Sequence, residues 1–129
     1  MTLSTDLSGP CSWDIRTSRA ELAARRISHV EHLDALLERL PTAQRLGAVI
    51  SADPELARAF AHALDRRETR GPLTGIPLAV KDIVDVAGFP TTGGTRSLEH
   101  DVVARDAPAV ARLREAGALF TLKTNLHEL

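Results

Sequence analysis

The segment from Leu78 to Leu122 constrains the fold most. "LAVKDIVDV" at 78–86 holds four valines or isoleucines and reads as a strand; a glycine and proline loop, "GFPTTGGT", follows it. Then comes "DAPAVARLREAGALF", with Asp106 as the expected cap, Val110 and Leu113 on one stripe and Gly117 as the stop, and "ALFTL" at 118–122 reads as a second, buried strand. Strand, loop, helix and strand form a βαβ unit. Such a crossover requires a parallel or mixed sheet covered by helices, so the chain is of α/β class.

The residues before this unit supply helices and one more strand. "SRAELAARR" and "SHVEHLDALLERL" each carry a Ser-x-x-Glu capping box, from Ser18 and from Ser28. Leu33, Leu36, Leu37 and Leu40 then fall at helical spacing, which predicts an amphipathic helix pair ended by Pro41. "GAVIS" at 47–51 reads as a short strand. "DPELARAFAHALDRRE" opens with an aspartate cap and a proline at the first helical position. Leu56, Phe60 and Leu64 are expected on its packed face, with Ala57 and Ala61 beside them. Residues 1–17, rich in Ser, Thr, Gly and Pro and without period, are expected to form a loose arm in which Cys11 and Trp13 can dock, leaving 18–129 as the domain. "RSLEHDVVARD" gives no assignment. The closing "TNLHEL" reads as the opening of one more helix, so the chain is expected to have been cut short.

Composition narrows the function classes. The chain has 129 residues, 43% of them apolar, the size of one ordinary domain. Sixteen lysines and arginines against 17 acids give a net charge of −1, which supplies no basic field for nucleic acid or anionic lipid. No apolar run approaches the ~20 residues of a membrane span. A single cysteine makes neither an internal disulfide nor a Cys-rich zinc site, and the start is not a secretory signal; a cytoplasmic setting is expected. His29 and His32 share a helix face but lack further ligands, and Gly93 and Gly94 follow no phosphate-loop spacing and read as turn residues with positive φ.

Lys81 is the residue that stands out. Alternation puts Ala79, Lys81 and Ile83 on one face of the strand and Leu78, Val80 and Asp82 on the other, and burial is expected on either. Taken alone, it reads as a lysine near a strand end, paired with Asp82 or Asp85 and reaching solvent. The alternative is a desolvated neutral amine acting as a general base.

The stretch "GPLTGIPLAVKDIVDVAGFPTTGGT", together with "DAPAVARLREAGALFTLKTNLHEL", resembles the amidase signature family, closely from Gly71 to Leu129 and more weakly from Ser18 to Arg70. The resemblance implies the amino-terminal part of that family's fold, a large mixed β-sheet surrounded by helices. It also implies a Ser-Ser-Lys group that hydrolyses or transfers carboxylic amides of small molecules, without cofactor or metal. Lys81 corresponds to its lysine, which takes a proton from a bridging serine that in turn activates the nucleophilic serine. Those serines belong to a Gly-Ser-Ser-Gly-Gly-Ser type segment that this sequence does not contain, and neither Ser51 nor Ser97 lies in such a motif. The 129 residues alone are therefore expected to be inactive. Lys123 matches no catalytic member and reads as a structural or surface lysine, and Leu122 stands where many members have glycine. Other readings are a glutaminase-type subunit of a tRNA-dependent amidotransferase, and a non-catalytic fragment that binds a partner or self-associates through exposed sheet edges.

Overall fold

The structure is a computed structural model that describes residues 9–66 and 71–127. Its elements in chain order are α1 (Ile15–Ala23), α2 (His29–Leu37), α3 (Leu40–Arg45), β1 (Val49–Ala52), α4 (Pro54–Asp65), β2 (Pro77–Lys81), α5 (Pro108–Glu115) and β3 (Leu119–Thr124). The strands form one mixed sheet in the order β1-β3-β2. β1 runs antiparallel to β3, and β2 runs parallel to it, as the βαβ unit requires.

Thr121 interrupts the β2–β3 register. Leu78 lies opposite Phe120 but Ala79 lies opposite Leu122, so Thr121 is an extra residue whose hydroxyl donates to the Leu78 carbonyl at 3.2 Å. Its consequence is that Phe120 and Lys123 share a face with their partners Leu78 and Val80. On that face Phe120 is buried with Val86, Phe89, Val110 and Ala118, and Leu78, Val80 and Leu113 pack against them. On the other face Leu119 is buried with Leu33 of α2 and with Ala57 and Ala61 of α4. Removing a side chain such as Leu33 from water contributes roughly 1.5–3 kcal/mol.

Local signals explain most helix ends. Ser28 caps α2 through the full capping box with Glu31, Asp53 caps α4 by accepting from the Leu56 amide, and Gly117 ends α5 with φ of 95°. Gly93 and Gly94 take the positive φ expected of them, 59° and 80°.

Several expectations fail where a tertiary contact outweighs the local pattern. The first helix starts at Ile15, capped by Asp14, and the Ser18 hydroxyl bonds His32 Nε2 at 3.2 Å instead of capping a helix. Gly9–Ser12 form a short 3-10 helix packed toward α2, and here Cys11 and Trp13 do dock as expected: the Cys11 thiol donates to the Ala35 carbonyl, and Trp13 stacks on His32 with ring centroids 5.9 Å apart. Pro41 opens α3 instead of merely ending α2. On α4 it is Ala57 and Ala61 that are fully buried, letting α2 and β3 come close, while Phe60 is exposed. Asp106 does not cap α5. It accepts from the Ala87 amide and takes both arms of Arg114 at 2.6 and 2.9 Å, and the Arg114 guanidinium lies over the Phe120 ring. The β2 strand ends at Lys81 because the Val84 amide turns back to the Lys81 carbonyl. Thr124 belongs to β3 and Asn125 continues its pairing by donating to the Ala48 carbonyl; the rest of the expected closing helix lies partly outside the described residues.

Candidate active site

Lys81 is the last residue of β2, at the carboxyl end of a strand that runs parallel to its neighbour. In open α/β sheets this end is where ligands bind, because crossover connections leave a crevice there. The alternation read from sequence holds: Ala79, Lys81 and Ile83 are exposed, whereas Asp82 is fully buried. The expectation that Lys81 is buried on either face is corrected: α2 and α4 pack on the same face over Leu119, but Lys81, at the end of the strand, is exposed. A shallow apolar groove, lined by Leu36, Leu37, Leu40, Pro77, Ala79 and Leu122, runs along the same face.

Lys81 makes no ion pair among the described residues, and the expected partner Asp82 is engaged elsewhere. Behind the strand end, Asp82 Oδ1 stands 2.9 Å from Lys123 Nζ, both side chains fully buried. The contact is a charge pair and not a directed hydrogen bond; the ammonium directs its hydrogen bonds to the Pro90 carbonyl at 2.9 Å and the Thr91 hydroxyl at 3.0 Å. Its three donors thus face three acceptors. The other carboxylate oxygen of Asp82 accepts from the Thr92 amide at 3.1 Å and from the Thr92 hydroxyl, which itself accepts from the Gly94 amide at 3.1 Å. The Asp82 backbone is also tied on both sides, its amide to the Thr124 carbonyl and its carbonyl to the Gly93 amide.

Sequence reasoning singled out Lys81 and missed this network. Lys123, read as a structural or surface lysine, is among the most buried side chains and does not lie at the surface. The available signal was that Asp82 and Lys123, opposite in charge, lie near the carboxyl ends of strands that the βαβ pattern makes neighbours.

The other candidates fall outside this arrangement. Ser51 lies on β1 opposite Lys123, and the Ser97 hydroxyl shares a hydrogen bond with Thr95 on an exposed turn. His29 Nδ1 lies 2.6 Å from Asp65, and His32 bonds Ser18. Among the described residues no three His, Cys, Asp or Glu side chains converge to hold a metal ion, and no helix is long and apolar enough to cross a membrane.

A strand-end lysine beside a glycine-rich loop, on a mixed sheet with helices packed on it, defines a protein of α/β class. A sequence profile of the amidases matches residues 31–129. The chain belongs to the amidase family. It is 43% identical over 113 residues to an amidase of Pseudomonas putida, covering 84% of this chain and 24% of that protein. It is 40% identical over 131 residues to a glutamyl-tRNA(Gln) amidotransferase subunit of Anaeromyxobacter sp. (strain K), covering 98% and 27%. Among solved structures, the native peptide amidase from Stenotrophomonas maltophilia superposes with a TM-score of 0.82 at 36% identity, over 89% of this chain and 25% of that one. The chain spans about a quarter of the length of the relatives it matches.

Proposed function

We propose that the chain is the base-bearing part of a Ser-Ser-Lys amide hydrolase acting on small carboxylic amides. In this reading the Lys81 amine takes a proton from a bridging serine, that serine takes one from the nucleophilic serine, and the freed Oγ attacks the amide carbonyl carbon. The C–N bond then breaks, the departing nitrogen leaves protonated, and water releases the acyl group. A serine hydroxyl needs such a relay because it is a weak nucleophile until a neighbouring base removes its proton. The observation that carries the reading is the position of Lys81, exposed at the carboxyl end of a parallel strand.

A net charge of −1 supports a substrate other than nucleic acid, and the lone Cys11 supports a reducing, cytoplasmic setting. A second reading, a glutaminase-type component of an amidotransferase, rests on the 40% identity to the Anaeromyxobacter amidotransferase protein. Two measurements separate these. Reading the coding DNA beyond the Leu129 codon is expected to reveal an in-frame Gly-Ser-Ser-Gly-Gly-Ser type segment. The polypeptide carrying it is then assayed on simple carboxylic amides and on glutamine: turnover of the former supports the hydrolase, turnover of glutamine alone supports the second reading, and turnover of neither rejects both.

A further inference from the structure

We infer that the buried Lys123–Asp82 pair, clamped by Thr91 and Thr92, is the device that positions Lys81 for proton transfer. The inference rests on the reading of Lys81 as the base.

Four observations carry it. A fully buried ion pair is a poor source of stability, because removing two charges from water costs much of what their attraction returns; an apolar pair of similar volume would hold the strands together as well. What the pair does supply is fixed geometry. Every polar group of Asp82 is engaged, through Thr124, Gly93, Thr92 and Lys123, so the residue bonded directly to Lys81 cannot shift without breaking several contacts at once. Alternation then sends the Lys81 side chain to the opposite face, so neither Lys123 nor Asp82 can touch a substrate there; they act from behind the strand. Finally, the same network shapes the loop beside Lys81, since Asp82 holds the Gly93 amide and the Thr92 hydroxyl holds the Gly94 amide. Lys123 reaches the loop one step earlier, at Pro90 and Thr91.

The test uses the complete amidase polypeptide that carries these residues and compares Lys81→Ala, the double variant Asp82→Asn/Lys123→Met, and Thr92→Val. The double variant removes both buried charges together, so no unpaired charge is left to unfold the protein. Positioning predicts that it melts close to the parent and keeps KM within about twofold, while kcat falls roughly tenfold or more, since a misplacement of about 1 Å can cost two orders of magnitude. Thr92→Val deletes only the hydroxyl between Asp82 and Gly94; its kcat is expected to fall severalfold at unchanged KM. A merely structural pair would lower the melting temperature and leave the kcat of folded enzyme intact. The inference is overturned if Lys81→Ala is inactive while the folded double variant retains the parent kcat. Should the double variant fail to fold, an unchanged kcat in Thr92→Val overturns it equally. If Lys81→Ala itself remains active, the base assignment fails first, and the positioning role fails with it.

Discussion

The His29 imidazole places Nδ1 2.6 Å from Asp65 Oδ1, and the same carboxylate accepts from the His29 and Val30 amides, so the last residue of α4 serves as an acceptor for the first turn of α2. An acid at the carboxyl end of its own helix opposes the helix dipole, but here it meets the positive end of another. Burial pushes the Asp65 carboxyl up, yet the backbone and imidazole donors outweigh it and hold it below the ordinary carboxylate range. Asp65→Ala would leave these donors unpaired. It is expected to destabilise the fold by about 1–3 kcal/mol, read from the urea midpoint.

Gly75 makes the same junction possible. Its φ is +74°, and a Cβ there would stand 1.9 Å from His29 Cδ2. Gly75→Ala therefore meets both backbone strain and a clash with a buried ring, for an expected loss of about 2–5 kcal/mol. Adding His29→Ala removes the obstructing ring, so thermal melts of the two single variants and the double should be strongly non-additive.

His32 should make stability pH-dependent. Burial, with His29 adding to it, holds its imidazole below the ordinary value of 6.5. Ser18 meets Nε2 and Trp13 stacks on the ring, but Nδ1 has no hydrogen-bond partner among the described residues, so a second ring proton would be a buried, unpaired donor. Between the folded and unfolded values the unfolded chain binds more protons. Stability is therefore full above pH 6.5 and declines as pH falls below it, until the folded value is passed. Urea midpoints taken between about pH 7.5 and pH 5 should fall across that window, and His32→Gln should flatten the decline. An unchanged slope in the variant would remove His32 from the account.

These junctions mark the boundary of what the sequence makes legible. The Ser28 capping box, the Asp53-Pro54 helix start, the Gly117 stop and the βαβ unit are local patterns, and they fold as their residues direct. Asp106 carries an equally good cap signal, but a bidentate arginine eight residues later offers its carboxylate a stronger partner. Phe60 yields the packed face of α4 to Ala57 and Ala61 because only small residues allow close approach to α2 and β3. The candidate site divides in the same way. Lys81 and its face follow from motif and alternation, whereas the Lys123–Asp82 pair depends on the extra residue Thr121, which single-strand periodicity does not reveal.

The central claim is that Lys81 is the base, and one comparison tests it most directly: the kcat for amide hydrolysis of Lys81→Ala against the parent, in the complete polypeptide, with circular dichroism recorded on both. Because Lys81 makes no ion pair among the described residues, its truncation should leave the variant folded, with an unchanged circular dichroism spectrum. The account predicts that kcat falls by roughly 10²–10⁴-fold, the usual contribution of a positioned general base. A folded Lys81→Ala variant that retains parental turnover would contradict it.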